Sequence, residues 1–171
     1  AASYQILKRF NIGDKLQAAG LGHLSPVIRP MAHTPDDPEV LQSYNAMVDE
    51  TLAQYRAILA TGLKVEFIDY ATQGDPYAAS PRLAIADVVA NNHLWVFSTR
   101  DGFGSSEFDP RDNPLLRETE FEISGQKALA NDIFRVVHDY FGHIKEGVGF
   151  RADGEENAWR AHASMYSPLA R

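Results

Sequence analysis

The chain has 171 residues, no cysteine, 44% hydrophobic residues and a formal net charge of −7. The absence of cysteine excludes disulfides and cysteine-ligated zinc or iron–sulfur sites, so any metal must be bound by histidine, aspartate or glutamate. The basic residues are scattered, which argues against nucleic-acid and membrane surfaces, and we find no transmembrane run and no signal peptide. We therefore expect a cytoplasmic protein whose partner is a small-molecule substrate or another protein.

The length fits one domain, residues 1–171, whose first part is hard to assign to regular elements. Prolines and glycines recur through residues 1–36, which predicts an irregular arm. Residues 36–39, Asp-Asp-Pro-Glu, are typical of a helix start, because an aspartate can cap the helix and a proline suits its first turn. Apolar residues then recur at helical spacing until Gly62, which indicates the end of this helix.

The middle of the chain predicts two strands with a helix between them. Residues 65–69 alternate between apolar and polar, as a strand does, and residues 94–97 form a short apolar strand. Between them, Ser80-Pro81 can cap a helix over residues 82–91. A strand, a helix and a strand joined by short links form a βαβ unit, so we expect the two strands to be parallel.

The second half predicts a long loop, one further strand and two helices. Residues 101–118 form the loop, whose length is typical of functional lids, and residues 120–123 form the third strand. We expect a long helix from a cap at Ser124 to about Lys145, and a last helix that starts after residue 154. The predicted fold class is α/β, with α+β as the alternative. It comprises a small mixed sheet with the βαβ unit, then the long helix and a C-terminal helix carrying the site.

Histidines are concentrated near the end of the predicted long helix, in the run His138-Asp139-Tyr140-Phe141-Gly142-His143. A non-haem ferrous site needs two imidazoles and one carboxylate on one face of the ion, with the other positions open. His138 and His143 are five residues apart, which on an ideal helix is a rotation of about 140°. We therefore expect Gly142 to loosen the last turn and let His143 approach His138. Asp139, four residues before His143, could orient that imidazole or act as an acid–base group.

The following helix can supply the carboxylate, and Glu155 is the better candidate. Glu155, Trp159, His162 and Tyr166 lie on one helix face, which is otherwise largely aromatic. A carboxylate on such a face should not be buried unless something satisfies it, and a metal held by the two histidines would do so. We predict Glu155 as the third ligand, and His162 as a fourth ligand or a substrate contact.

The neighbouring Glu156 has two ordinary roles available. Asp153 and Glu156 have the spacing of a capping box, in which the glutamate side chain satisfies a backbone N–H at the helix start. Glu156 also precedes Arg160 by four residues, the favourable spacing for an ion pair on a helix. We therefore predict that Glu156 caps the helix, and we keep it with Asp139 as a candidate acid–base group.

The six-residue run resembles the iron-binding segment of the aromatic amino acid hydroxylases, in which such a run supplies both iron histidines. The resemblance implies that His138 and His143 are iron ligands. That family is mostly helical, and its glutamate ligand lies further along, beyond the last residue of this sequence. The His138-Asp139 doublet is also similar to that of metal-dependent phosphohydrolases, whose domains are all helical. The run from His138 to Pro168 resembles uncharacterised bacteriophage-encoded proteins, which would imply the host cytoplasm.

The leading hypothesis is a metal-dependent enzyme with a His/His/carboxylate site, most similar to non-haem iron oxygenases, in which Fe(II) is favoured over zinc. The first alternative is a zinc-dependent hydrolase, where the metal lowers the pKa of a bound water to about 7. The second alternative is a non-catalytic structural or binding module of a larger assembly, with the histidines packed in its core. The helical pattern continues to the last residues, so the site could be truncated at its C-terminal end.

Overall fold

The computed structural model describes residues 36–80, 82–103, 113–147 and 152–171. The chain divides into two compact units, residues 1–40 and 41–171. The predicted irregular arm lies outside the described residues except for Asp36, and so do residues 104–112 of the predicted loop.

The first helix confirms the prediction from the sequence. Helix α1 spans Pro38–Ala60, and the Asp37 Oδ1 atom accepts a hydrogen bond from the Glu39 backbone N–H at 2.9 Å. An aspartate oxygen therefore caps the first turn. Four side chains at helical spacing are buried along α1, namely Val48, Thr51, Tyr55 and Ile58. Gly62 follows the helix with a φ of 83°, a left-handed conformation that glycine adopts without strain.

The predicted βαβ unit is present. Strand β1 spans Lys64–Phe67, helix α2 spans Arg82–Asn91 and strand β2 spans His93–Val96. The two strands are parallel, with Val65 opposite Leu94. One face of this pair is buried through Leu94 and Val96. The other face carries polar and aromatic residues, because successive side chains of a strand alternate between faces.

The third predicted strand belongs to a separate sheet. A short helix α3, Thr99–Phe103, and a 3₁₀ turn, Pro114–Leu116, precede it. Strand β3, Glu118–Ile123, then pairs antiparallel with strand β4, Gln126–Leu129. The described residues therefore form two two-stranded sheets where the sequence predicted one mixed sheet. The mixed class, with α/β and α+β both compatible, is confirmed.

A tight turn joins β3 to β4 and replaces the predicted helix cap at Ser124. Ser124 and Gly125 have φ values of 50° and 74°. Positive φ at both central positions is typical of the two-residue turns that match the twist of a hairpin. The Ser124 Oγ atom accepts a hydrogen bond from the Phe67 backbone N–H at 2.9 Å, and so links the hairpin to β1.

The predicted long helix is shorter than expected and changes type within its length. Helix α4 spans Ala130–Val137, a π-helical turn spans His138–Ile144, and helix α5 spans Ala152–Ala163. Three fully buried residues, Ile133, Val136 and Val137, fix α4 in the main apolar core. The core thus holds the helix that leads directly into the histidine run. Within the described ranges, none of the helices has the length and apolar character needed to cross a membrane.

Candidate metal centre

The π-helical turn decides where the two histidines lie. Its hydrogen bonds run five residues back, as between the Lys145 N–H and the Tyr140 carbonyl at 2.9 Å. In such a turn, residue i+5 lies about one turn beyond residue i, so the two share a side. His138 and His143 accordingly lie together, with ring centroids 5.0 Å apart and ring planes at 79°. The rotation of an ideal α-helix was therefore the wrong geometry here, although the predicted approach of the two rings is present.

Helix α5 brings the predicted carboxylate to the same place. The Glu155 Oε2 atom lies 3.3 Å from the His143 Nε2 atom and 3.6 Å from the His138 Nε2 atom. One ligand atom from each of the three residues lies within 4.8 Å of the others. The structure therefore brings together the three residues that the sequence nominated as metal ligands.

These separations can be compared with what a metal ion requires. With metal–ligand bonds of about 2.1 Å, neighbouring ligand atoms of a tetrahedral or octahedral ion lie about 3.0–3.4 Å apart. The two measured separations, 3.3 and 3.6 Å, are close to this range. The donor set also fits, because two imidazoles and one carboxylate suit both non-haem iron and zinc.

Charge and burial differ across the three residues. The His143 side chain is fully buried, the His138 side chain is 20% exposed and the Glu155 side chain is 48% exposed. The site therefore has a buried wall at His143 and a solvent-facing side at Glu155. Desolvation acts to raise the pKa of Glu155, but hydrogen bonding and positive charge at His138 and His143 outweigh it and lower that pKa to about 2. The Glu155 carboxylate is therefore charged at neutral pH.

His162 lies beside the centre and is not part of the three-residue group. Its ring is almost fully buried and lies 5.7 Å from the ring of His138 and 5.1 Å from that of Phe134, centroid to centroid. Its Nε2 atom is 3.1 Å from the Oε1 atom of Gln54 in α1. Desolvation, and then the charge of His138, lower the pKa of His162 to about 4. Because its Nε2 atom contacts Gln54 and it lies outside the three-residue group, the structure does not place His162 as a fourth ligand.

Gln54 is a residue of this region that the sequence did not reveal. It lies on α1, far along the chain from His162, and its amide Nε2 also donates to the Met165 carbonyl at 3.5 Å. An amide in an amphipathic helix carries no sequence signal of such a contact, because it is a common surface residue of helices.

The two candidate acid–base residues have different environments. Asp139 is half-buried within the π-helical turn. Desolvation raises its pKa, while the charges of His138 and His143 act in the opposite direction. Glu156 is exposed and is paired with the Arg160 Nη2 atom at 2.6 Å, which confirms the predicted ion pair. Asp139 therefore lies close enough to His138, His143 and Glu155 for their charges to act on it.

Two expectations for α5 were wrong. The helix already includes Asp153, because it spans Ala152–Ala163, so Asp153 is not the cap that the capping-box spacing suggested. The predicted face is also only partly buried, since His162 and Tyr166 are buried but Trp159 is 63% exposed, and Ala158 is fully buried in its place. Glu155 therefore lies at the edge of the buried face, where its carboxylate reaches both histidines and solvent.

No protein family, curated protein or solved structure matches this chain. The case for the centre accordingly depends on the geometry of His138, His143 and Glu155. The resemblance of the histidine run to the aromatic amino acid hydroxylases stays a prediction.

Proposed function

We propose that His138, His143 and Glu155 bind one divalent metal ion, and that the protein is a mononuclear metal-dependent enzyme similar to non-haem iron oxygenases. The observation that carries this proposal is the convergence of two imidazole Nε2 atoms on a single carboxylate oxygen, at 3.6 and 3.3 Å. Two imidazole nitrogens and a carboxylate oxygen at these separations are close enough to bind one ion.

The donor set supports iron as the metal. Two histidines and one carboxylate on one face are typical of Fe(II) sites that keep positions open for oxygen and substrate. Iron in such a centre supplies activation of dioxygen. The protein would contribute the buried wall at His143, the solvent-facing entrance at Glu155 and a neutral imidazole at His162. Asp139, whose pKa is raised by desolvation, could hold or release a proton beside the ligands.

A zinc-dependent hydrolase is the second candidate. The same donor set of two histidines and one glutamate occurs in catalytic zinc sites with a water in the fourth position. Asp139 would serve this reaction as well, since a carboxyl with a raised pKa beside the proposed ligands suits acid–base chemistry. The third hypothesis is a non-catalytic structural or binding module, and it predicts that the purified protein holds no stoichiometric metal.

Metal content separates these readings. We expect protein purified without a histidine tag to hold one equivalent of metal, with iron supporting the oxygenase and zinc the hydrolase. His138→Ala and His143→Ala should each lower metal affinity well over tenfold, because a three-ligand site loses a strong bond.

His93→Ala is the matched control for these variants, since His93 also contacts carboxylates but lies on β2. It should keep the metal. An absence of metal in the wild-type protein, or equal losses in all three variants, would contradict the proposal and support the non-catalytic module.

A further inference from the structure

We propose that Gly142 is a positioning residue for the metal centre, because only glycine lets α5 approach the π-helical turn closely enough for Glu155 to reach the histidines. The inference rests on the proposed function, and it concerns what sets the geometry of that site. Gly142 directly precedes the ligand His143, and Glu155 lies three residues before Ala158 on α5.

The contact between Gly142 and Ala158 is the evidence. A Cβ atom placed on Gly142 would lie 2.8 Å from the Ala158 carbonyl oxygen and 2.9 Å from the Ala158 Cβ atom. Real Cβ atoms essentially never approach other heavy atoms within 3.0 Å, so an alanine here requires something to move. The closest atom belongs to the backbone of α5, so a rotamer change cannot relieve the contact. Gly142 and Ala158 are both buried, which leaves little room for a local adjustment.

The required movement reaches or exceeds what a metal site tolerates. From a Cβ atom that would lie 2.8 Å away, the α5 carbonyl must retreat by about 0.2 Å to reach 3.0 Å and by about 0.6 Å to reach ordinary van der Waals contact at 3.4 Å. Metal–ligand distances tolerate deviations of only about 0.2 Å, and functional constellations about 0.5 Å. Glu155 is on the same helix, less than one turn before Ala158. A displacement of α5 therefore moves this ligand away from His143.

A change in intrinsic helix propensity cannot explain a loss of metal affinity in Gly142→Ala. Alanine is a better helix former than glycine, so Gly142→Ala is favourable in this respect. The left-handed conformation is also not the reason for glycine here, because the residues of the chain with positive φ do not include Gly142. The close approach of α5 is therefore the reason that position 142 requires a residue without a Cβ atom.

The test uses the full chain and three readouts. These are the affinity for Zn²⁺ by competition with a chromophoric chelator, the visible spectrum of the Co²⁺-loaded protein, and the melting temperature without metal. We expect Gly142→Ala to remain folded, to bind Zn²⁺ at least tenfold more weakly and to give an altered Co²⁺ spectrum. Ile123→Val is the control for general destabilisation, since Ile123 is buried in the β-hairpin and not in the π-helical turn or α5. It should lower the melting temperature and leave affinity and spectrum unchanged.

A second variant keeps the inference testable if Gly142→Ala does not fold. Gly142→Ala combined with Ala158→Gly removes the Cβ–Cβ contact but keeps the closer contact with the α5 carbonyl. It should fold and still bind Zn²⁺ several-fold more weakly than wild type. Wild-type affinity and spectrum in either folded variant would overturn the role of Gly142. Failure of the proposed function is distinguishable, because in that case the wild-type protein itself would not show histidine-dependent metal binding.

Discussion

Two clusters of histidine and carboxylate are present among the described residues, and they are built in opposite ways. In the first, on the βαβ unit, the two ring nitrogens of His93 face different carboxylates. Its Nδ1 atom lies 2.7 Å from Asp87 Oδ2, and its Nε2 atom lies 2.9 Å from Glu66 Oε2. In the second, the Nε2 atoms of His138 and His143 face the same oxygen of Glu155. In the His93 cluster each ring nitrogen has its own carboxylate partner, whereas in the second cluster two ring nitrogens share the Glu155 Oε2 atom.

The His93 cluster satisfies its own hydrogen-bonding groups. The Asp87 carboxylate also accepts hydrogen bonds from the Tyr77 hydroxyl at 2.6 Å and from the Asn91 amide at 2.8 Å. Glu66 is paired with Lys64 Nζ at 3.2 Å as well. Buried polar groups that find all their partners within the protein hold elements together and leave no position for a ligand. This cluster ties α2 to both strands of the first sheet.

Residue composition alone does not distinguish the two clusters, because both combine imidazole with carboxylate. What differs is whether the donor atoms point at separate partners or at one shared point. Within the part of the chain that the structure describes, the single group with three converging ligand atoms is His138, His143 and Glu155. The comparison therefore assigns a structural role to the His93 cluster and keeps the metal proposal for the second.

The largest expected difference between the clusters concerns their glutamates. Glu155→Gln should lower metal affinity at least tenfold, because an amide is a much weaker ligand than a carboxylate for hard divalent ions. Glu66→Gln changes the charge equally, beside the histidine of the other cluster, and should leave metal binding unchanged. Titration of metal-free protein with Zn²⁺ measures both. Equal affinity of the two variants would remove the functional distinction drawn here.

A smaller effect is expected on stability at the His93 cluster. Desolvation acts to raise the pKa of Asp87, but hydrogen bonds from Tyr77, Asn91 and His93 outweigh it and lower that pKa below its ordinary value. A carboxyl whose pKa is lowered on folding stabilises the protein above its unfolded pKa, and this stabilisation is lost as the pH falls through the folded value. Asp87→Asn should therefore lower the free energy of unfolding at pH 7 by about 1–2 kcal/mol.

The pH dependence of the stability difference shows whether the charge of Asp87 is responsible for it. In urea unfolding of the metal-free protein, the difference between Asp87→Asn and wild type should shrink when the pH is lowered from 7 to below about 4, where aspartate begins to protonate in the unfolded chain. A difference that stays constant or grows at low pH would mean that packing around Asp87, and not its charge, stabilises this cluster.

The sequence nominated the three residues that the structure brings together, but it did not predict the local structure that assembles them. Glu155 could be chosen over Glu156 because Arg160 occupies the latter at helical spacing, and this pair is present. The π-helical turn was not predicted, since such turns are rare and occur mostly as single-turn interruptions of an α-helix. Likewise, the sequence predicted a helix cap at Ser124 because serine suits both caps and turns, and only the pairing of β3 with β4 decides between the two.

The smallest expected effect belongs to Glu156, the neighbour of the proposed ligand. Its ion pair with Arg160 joins side chains that are 62% and 68% exposed. Exposed pairs at this helical spacing contribute only a few tenths of a kcal/mol, because water and salt screen the charges. Glu156→Gln should therefore cost less than about 0.5 kcal/mol of unfolding free energy, lose that cost at high salt, and keep full metal occupancy. Metal content should be measured for Glu156→Gln and Glu155→Gln together. If Glu156→Gln lost the metal and Glu155→Gln kept it, Glu156 and not Glu155 would be the ligand that α5 supplies.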